Sequence, residues 1–385
     1  MIARRAIFIT MAVLAAVSVA RSGHELPVYP SYYPHEIEIA ALTPQRAAEQ
    51  MRAGKLHAYI GGTPDFSDTP LKSIGFVESL GAFIVVRLNP SSPLTKDEAS
   101  ACAAVGTIVR EMAARAGADG GFVAHPYPVT PWHGDYLLHA DLAEAARTRL
   151  VGSATAPSAG DGLKVRVEGA LAERLVRPEW RVGEGAWDVA IGEVGARELV
   201  QSSAPIMNGW LGPRWTRSGW FHAHRLLSGF LSEPQHKARV DADLARLTSG
   251  EIEDAADRAN LERDLVGALT AGCRALVAGY NVKREYFSTD FSSGIENLSY
   301  DALEGLSSPM FLRTVKLKDF PWNGWLHLAV ETPSAAAWNP IGGFGDAFGR
   351  LMWFASGDPA AIPSPYDHTW ILNRISEVQL TTTTP

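Results

Sequence analysis

The chain lacks most of the patterns that would name a chemistry. There is no G-x-S-x-G, S-x-x-K, H-E-x-x-H or Walker A motif, so the common hydrolase, zinc-protease and P-loop signatures are missing. There are only two cysteines, Cys102 and Cys273, and no C-x-x-C or C-x-x-C-H, which excludes covalent haem. No basic block or acidic tail occurs, and a net charge of −7 argues against nucleic acid as a partner. Gly342-Gly343-Phe344-Gly345 follows no clear strand and lies in a Pro-containing loop, so it makes a poor dinucleotide site. Beyond the N-terminus no charge-free apolar run approaches membrane-spanning length.

The N-terminus itself is informative. Arg4 and Arg5 precede the apolar run from Ala6 to Val19, and Ser18-Val19-Ala20 is a small-x-small cleavage pattern. This reads as a secretory signal peptide, residues 1–20, removed after Ala20. The mature protein is then expected to be periplasmic or secreted. Arg4-Arg5-Ala6-Ile7-Phe8 leaves twin-arginine export open beside the general route. No Cys follows the cleavage site, so no lipoprotein anchor is expected. An oxidising compartment permits a disulfide. Both cysteines, however, fall on apolar faces of predicted helices, and buried free thiols are the preferred reading, with a bridge as the alternative.

At 385 residues the chain has room for two domains. Glu36–Ala40 alternates as a strand, Thr43-Pro44 caps a helix, and Leu56–Ile60 is a second strand ended by Gly61-Gly62. This is a β-α-β unit, for which parallel pairing is expected. Further strands are predicted at 76–80 and 82–88, and a helix after the Thr95–Glu98 capping box. Residues 151–163 form a Gly/Pro-punctuated linker. It divides a first α/β lobe, 21–150, from a second, 164–380, with a disordered tail at 381–385. The second lobe begins with strand and helix signals at 164–176 and 187–202. Helices are expected at 225–230 and 234–247, and the longest runs from the Thr248–Glu251 capping box to about Val277, with Leu261, Leu265, Leu269, Cys273, Leu276 and Tyr280 as its buried stripe. A strand is expected at 310–316, and the last hundred residues are irregular and aromatic-rich.

Two stretches concentrate interaction-capable side chains. The first is His125–Asp141, H-P-Y-P-V-T-P-W-H-G-D-Y-L-L-H-A-D, which Pro126, Pro128 and Pro131 keep from being a helix. The second is Asn208–His224, with Trp210, Trp215 and Trp220 at a spacing that suits neither helix nor strand. Facing one another between the lobes, they would form an aromatic-lined cleft. Its candidate contacts are Tyr127, Trp132, His133, Asp135, Tyr136, Trp215, Trp220 and His222. If an ion is held, His133, His139, His222 and His224 are the candidate ligands, but no spacing matches a known closed site. No cofactor is otherwise expected.

Gly54-Lys55-Leu56-His57-Ala58-Tyr59-Ile60-Gly61 has an internal echo in Gly185-Ala186-Trp187-Asp188-Val189-Ala190-Ile191-Gly192. The segment Glu36–Gly62 resembles type II periplasmic solute-binding proteins, in which a helix, G-x-x-D and a strand lead into the cleft. His57 replaces the Asp of that pattern, while Asp188 in the second copy matches it. The resemblance implies a two-lobed α/β fold with mainly parallel sheets and a small-molecule ligand. A membrane permease would be the partner. The expected function is thus an exported small-solute-binding protein and not an enzyme. Alternatives are an exported metal-dependent or His/Asp acid-base enzyme, and an accessory protein for a periplasmic oxidoreductase.

Overall fold

The computed structural model describes residues 34, 36–66, 72–116, 121–150, 162–203, 214–231, 233–319, 324–333, 346–356, 361–364, 369–373 and 376–377. The leader, most of the linker, Trp210, the 342–345 glycine loop and the 381–385 tail lie outside the described residues.

The strands are β1 (Glu36–Ala41), β2 (Ala58–Ile60), β3 (Ile74–Leu88), β4 (Phe122–Ala124), β5 (Val165–Glu168), β6 (Val189–Gly195), β7 (Ala275–Ser288), β8 (Ile295–Asn297), β9 (Lys316–Leu317), β10 (Trp325–Val330), β11 (Ala361–Pro363) and β12 (Trp370–Leu372). The helices are α1 (Pro44–Arg52), α2 (Glu98–Arg115), α3 (Ala140–Leu150), α4 (Ala170–Leu175), α5 (Ala196–Ser203), α6 (Gly219–Leu227), α7 (Pro234–Ser249), α8 (Ala255–Leu269), α9 (Pro309–Thr314) and α10 (Ala347–Ser356).

The main sheet has the order β1-β10-β2-β7-β3-β6-β5, with β4 also on β7. Its centre is a long antiparallel ribbon of β3 and β7. On one half of the ribbon, Ile74–Leu80 against Val282–Ser288, the sheet continues through β2 to β10 and β1. On the other half, Ala82–Arg87 against Ala275–Asn281, it continues through β6 to β5, and β4 takes the free edge of β7. Pairing is parallel at both flanks, as the β-α-β reading expects, and antiparallel through the ribbon. The halves change over at a register shift between Leu80 and Ala82. There Ala82 N donates to Asn281 Oδ1 at 2.5 Å, and a Cβ on Gly81 would overlap that amide, which is why this bulge carries glycine.

Each half is covered on both faces. Side chains alternate along a strand. Phe83 and Val85 therefore enter one core, with Trp220, Leu226, Leu265 and Val277, while Ile84 and Val86 enter another, with Val105, Ile108 and Met112 of α2. In the second half Ala58, Ile60, Leu326 and Leu328 pack on Phe311 and Leu351, and Tyr59 and Ala329 on Ala47 and Met51 of α1.

Four features differ from the sequence reading. β3 and β4, before the linker, share a sheet half with β5 and β6, after it. A cut at 151–163 therefore does not separate one sheet from another; long strands let both halves draw on both ends of the chain. The long helix is in fact α8 followed by the start of β7. Gly250, at φ 80°, ends α7, Asp254 caps α8 by accepting from Ala256 N and Asp257 N, and β7 begins at Ala275. Leu261, Leu265 and Leu269 form the helical stripe, whereas Leu276 and Tyr280 lie in the strand. Apolar spacing that happens to continue across Ala271-Gly272 mimics one period. Residues 309–314 form helix α9 behind the Ser308 cap, where a strand was expected. Finally, Cys102 and Cys273 are not free: they form a disulfide between α2 and the turn before β7, with Cα atoms 5.0 Å apart.

Candidate functional site

The two aromatic stretches do meet, and Asp135 is the pin. Ser218 precedes α6 but makes no side-chain cap. Asp135 reaches across instead, accepting from Gly219 N at 3.0 Å and Trp220 N at 3.2 Å. A carboxylate at a helix N-terminus satisfies orphan donors and complements the dipole. Beside it His133 Nε2 meets His222 Nδ1 at 2.9 Å. His222 Nε2 lies 3.1 Å from the Thr216 carbonyl, which can only accept, so Nε2 carries the proton and Nδ1 accepts from His133. His133 Nδ1 accepts from Thr130 N at 2.9 Å. Every nitrogen of this pair is used, and burial, then the neighbouring His133, holds His222 well below the usual imidazole range.

These residues were expected to line a cleft; the structure places several in a core. Tyr127, Trp220 and His222 are wholly or almost wholly buried, and His133 and Asp135 are buried. Trp132, Tyr136 and Trp215 are half-buried, packed against the same cluster. Trp215 packs tilted against Phe221, with ring centres 4.7 Å apart. Trp220 therefore does not wall a pocket as it stands. A cleft does open among the described residues, lined by Glu98, Leu227, Phe230, His236, Leu269 and Arg274, none from the 125–141 loop.

The four expected metal ligands do not converge. His133 and His222 saturate one another, and His222 and His224 diverge because α6 is helical from Gly219. His139 stands apart, with Nδ1 3.0 Å from the Tyr127 hydroxyl, and has Asp135 and Glu262 as neighbours. Burial lowers the pKa of His139 and raises that of Tyr127.

Sequence reasoning missed the densest group of buried charge, which lies where the halves join. Arg217, in the turn before α6, pairs with Asp301 and, at 3.3 Å, with Glu304. Arg350 of α10 reaches Glu304 from the other side at 3.5 Å. Glu285, on the central ribbon, accepts from Gly61 N at 2.8 Å, Leu306 N at 2.6 Å and Lys283 Nζ at 3.1 Å. The 301–308 loop lies on the same ribbon, with Leu80 N donating to Ala302 O at 2.8 Å. Arg217 Nε, Arg350 Nη2, Ser79 Oγ and Ser307 Oγ are buried without a partner among the described residues. Burial also draws the Arg350 guanidinium down to about 10. No local motif announces this group, because its members come from five separate segments. His57 and Asp188, the two echo positions, are both spent within the fold: His57 Nδ1 accepts from His327 N, and Asp188 accepts from Ser92 Oγ at 2.7 Å and from Lys164 N.

No protein-family model matches the chain, and no curated protein matches it in sequence. Solved structures do resemble it. HbpA2 from Haemophilus parasuis has a TM-score of 0.38 at 14% identity, covering 70% of this chain and 55% of its own. OppA from Haemophilus influenzae, solved with the peptide RPPGFSPFR, has a TM-score of 0.41 at 13% identity, covering 72% and 57%. The periplasmic binding protein DppA from Helicobacter pylori, solved with the peptide STSA, has a TM-score of 0.41 at 11% identity, covering 72% and 55%. The chain thus spans little more than half the length of each of these proteins. At these identities and scores the likeness is one of fold alone, and a partial one.

Proposed function

We propose that the chain is an exported protein that binds a small charged solute between its two halves, at the Arg217–Glu304 cluster. The observation that carries this reading is the placement of the cluster. Ionised groups are gathered, buried, at the one ribbon shared by both halves. Taking such groups out of water costs several kcal/mol per ion, and apolar packing would hold a junction at least as well. Retained charge at a junction therefore favours recognition. Arg217 Nε and Arg350 Nη2 are donors suited to a carboxylate or phosphate. Glu285 and Glu304 are acceptors suited to an amine. A zwitterion, such as an amino acid or short peptide, meets both. Trp215, half-buried and two residues from Arg217, supplies the aromatic contact of this reading. A membrane permease is the natural partner of such a protein.

The test is calorimetry and thermal shift on the chain from Arg21 onward, against amino acids, short peptides, dicarboxylates and polyamines. Zwitterions should bind, and Glu304→Gln or Arg350→Gln should weaken them by about tenfold or more, the loss of one charge-assisted contact. Should no class bind, or should both variants bind undiminished, the reading fails.

A further inference from the structure

We propose that Asp135, His139 and Glu262 form a buried divalent-cation site for a Zn2+-like ion, tying the Pro-rich loop to α8. This site is separate from the charged junction and does not depend on the solute-binding reading.

The first observation is proximity with composition. One donor atom from each of the three lies within 4.8 Å of the others. The three residues are 5%, 0% and 3% exposed. An imidazole with two carboxylates is a donor set for zinc and its first-row neighbours, whereas Ca2+ and Mg2+ favour all-oxygen shells. The residues come from a loop and from a helix more than a hundred positions later, so the fold gathers them.

The second observation is an orphan. His139 Nε2 is buried with no hydrogen-bond partner among the described residues. The other nitrogen, Nδ1, is 3.0 Å from Tyr127 Oη. Either tautomer leaves something missing. If Nδ1–H donates to the tyrosine oxygen, the Nε2 lone pair is a buried acceptor without a donor among the described residues. If the tyrosine donates, Nε2–H is a buried donor without an acceptor. Native proteins rarely leave such a group unsatisfied unless an ion or water completes it. A cation is compatible with the first tautomer. That tautomer also gives the imidazole the outer hydrogen bond that orients a metal-bound histidine.

The third observation is that the carboxylates are already oriented. Asp135 is fixed by Gly219 N and Trp220 N, and Glu262 Oε1 accepts from Arg258 Nε at 2.8 Å. His133 and His222 lie nearby but have no free nitrogen, so they hold the loop and do not ligate. With three protein ligands, a water would complete a tetrahedron. Because the site is closed, the ion would enter during folding, and its binding free energy would appear as folding stability.

Elemental analysis of the purified chain from Arg21 onward should find about one equivalent of Zn2+. After unfolding with chelator, refolding with Zn2+ should restore that equivalent and raise Tm relative to refolding without it. Refolding with Co2+ should give the visible absorption of a tetrahedral nitrogen/oxygen site. His139→Ala should abolish the metal and the Co2+ bands. If that variant does not fold, Glu262→Gln keeps the volume and the Arg258 contact and should still cut metal content below half. His224→Ala should leave it unchanged. Wild-type protein that holds less than about one-tenth equivalent, both as purified and after refolding in Zn2+, means that a water fills the site and overturns the proposal. So does full retention of Zn2+ in Glu262→Gln.

Discussion

Neither ring nitrogen of His222 is available to a ligand, and that decides what the two aromatic stretches do. The His133–His222–Thr216 chain works only with neutral imidazoles, so it is a proton-sensitive clamp on the start of α6. Burial keeps His125, His222 and His224 below their ordinary pKa. An unfolded chain protonates these groups near pH 6.5, while the folded one resists until lower pH. The unfolded state therefore binds more protons as pH falls through that range, and stability falls with it. The carboxyls of Glu262, Asp243 and Asp301, raised by desolvation, act in the opposite sense, but their ordinary range lies below this window, and five imidazoles are lowered by burial. The urea midpoint should decline from about pH 7.5 to 5.5; a flat or rising profile would contradict the neutral clamp. Trp220 tests the same point from the apolar side. It is wholly buried in the core with Phe83 and Leu265, so Trp220→Ala should lose about 3–5 kcal/mol of stability. A variant with unchanged stability and lost solute binding would instead restore Trp220 to a cleft wall.

At the scale of elements, the disulfide and the ribbon do the joining. Cys102 sits in α2 and Cys273 just before β7, so the bridge ties a covering helix to the start of the central strand across 171 residues. Closing so long a loop constrains the unfolded chain strongly, with a ceiling near ~5 kcal/mol in the chain-entropy account. The double change of both cysteines to serine should cost about 2–5 kcal/mol, read as a lower urea midpoint. Thiol titration of the unfolded, unreduced protein should find no free thiol, and two would restore the free-cysteine reading. Both faces of that junction were legible as apolar, but apolarity is what a buried thiol and a buried bridge share. Pairing depended on α8 ending at Leu269, which brings Cys273 out of a helix and beside α2.

For the whole molecule, the consequence of a shared ribbon is that each half is built from both ends of the chain. β1, β2 and β10 with the start of β3 and the end of β7 make one, and the end of β3, β4, β5, β6 and the start of β7 make the other. Export is the function-level claim to test first: the mature protein recovered from periplasm should begin at Arg21, and an intact mass retaining residues 1–20 would remove the compartment from the proposal. Among the described residues no helix is long and apolar enough to cross a membrane. The local code was readable where it is local. Thr43 caps α1, strands β1, β2 and β6 fall where their alternation or apolar runs place them, and the Pro-rich loop is irregular because proline forbids otherwise. Those are decided within a few residues by sterics and by periodicity. What only tertiary structure decided is everything that depends on partners distant in sequence. It took the fold to set Asp135 on the end of α6 and Glu262 beside His139. It also took the fold to turn Arg217, Asp301, Glu304, Glu285 and Arg350 into one buried group. A charge's role is fixed by what lies within a few ångströms of it, and neighbours at that range need not be near in sequence.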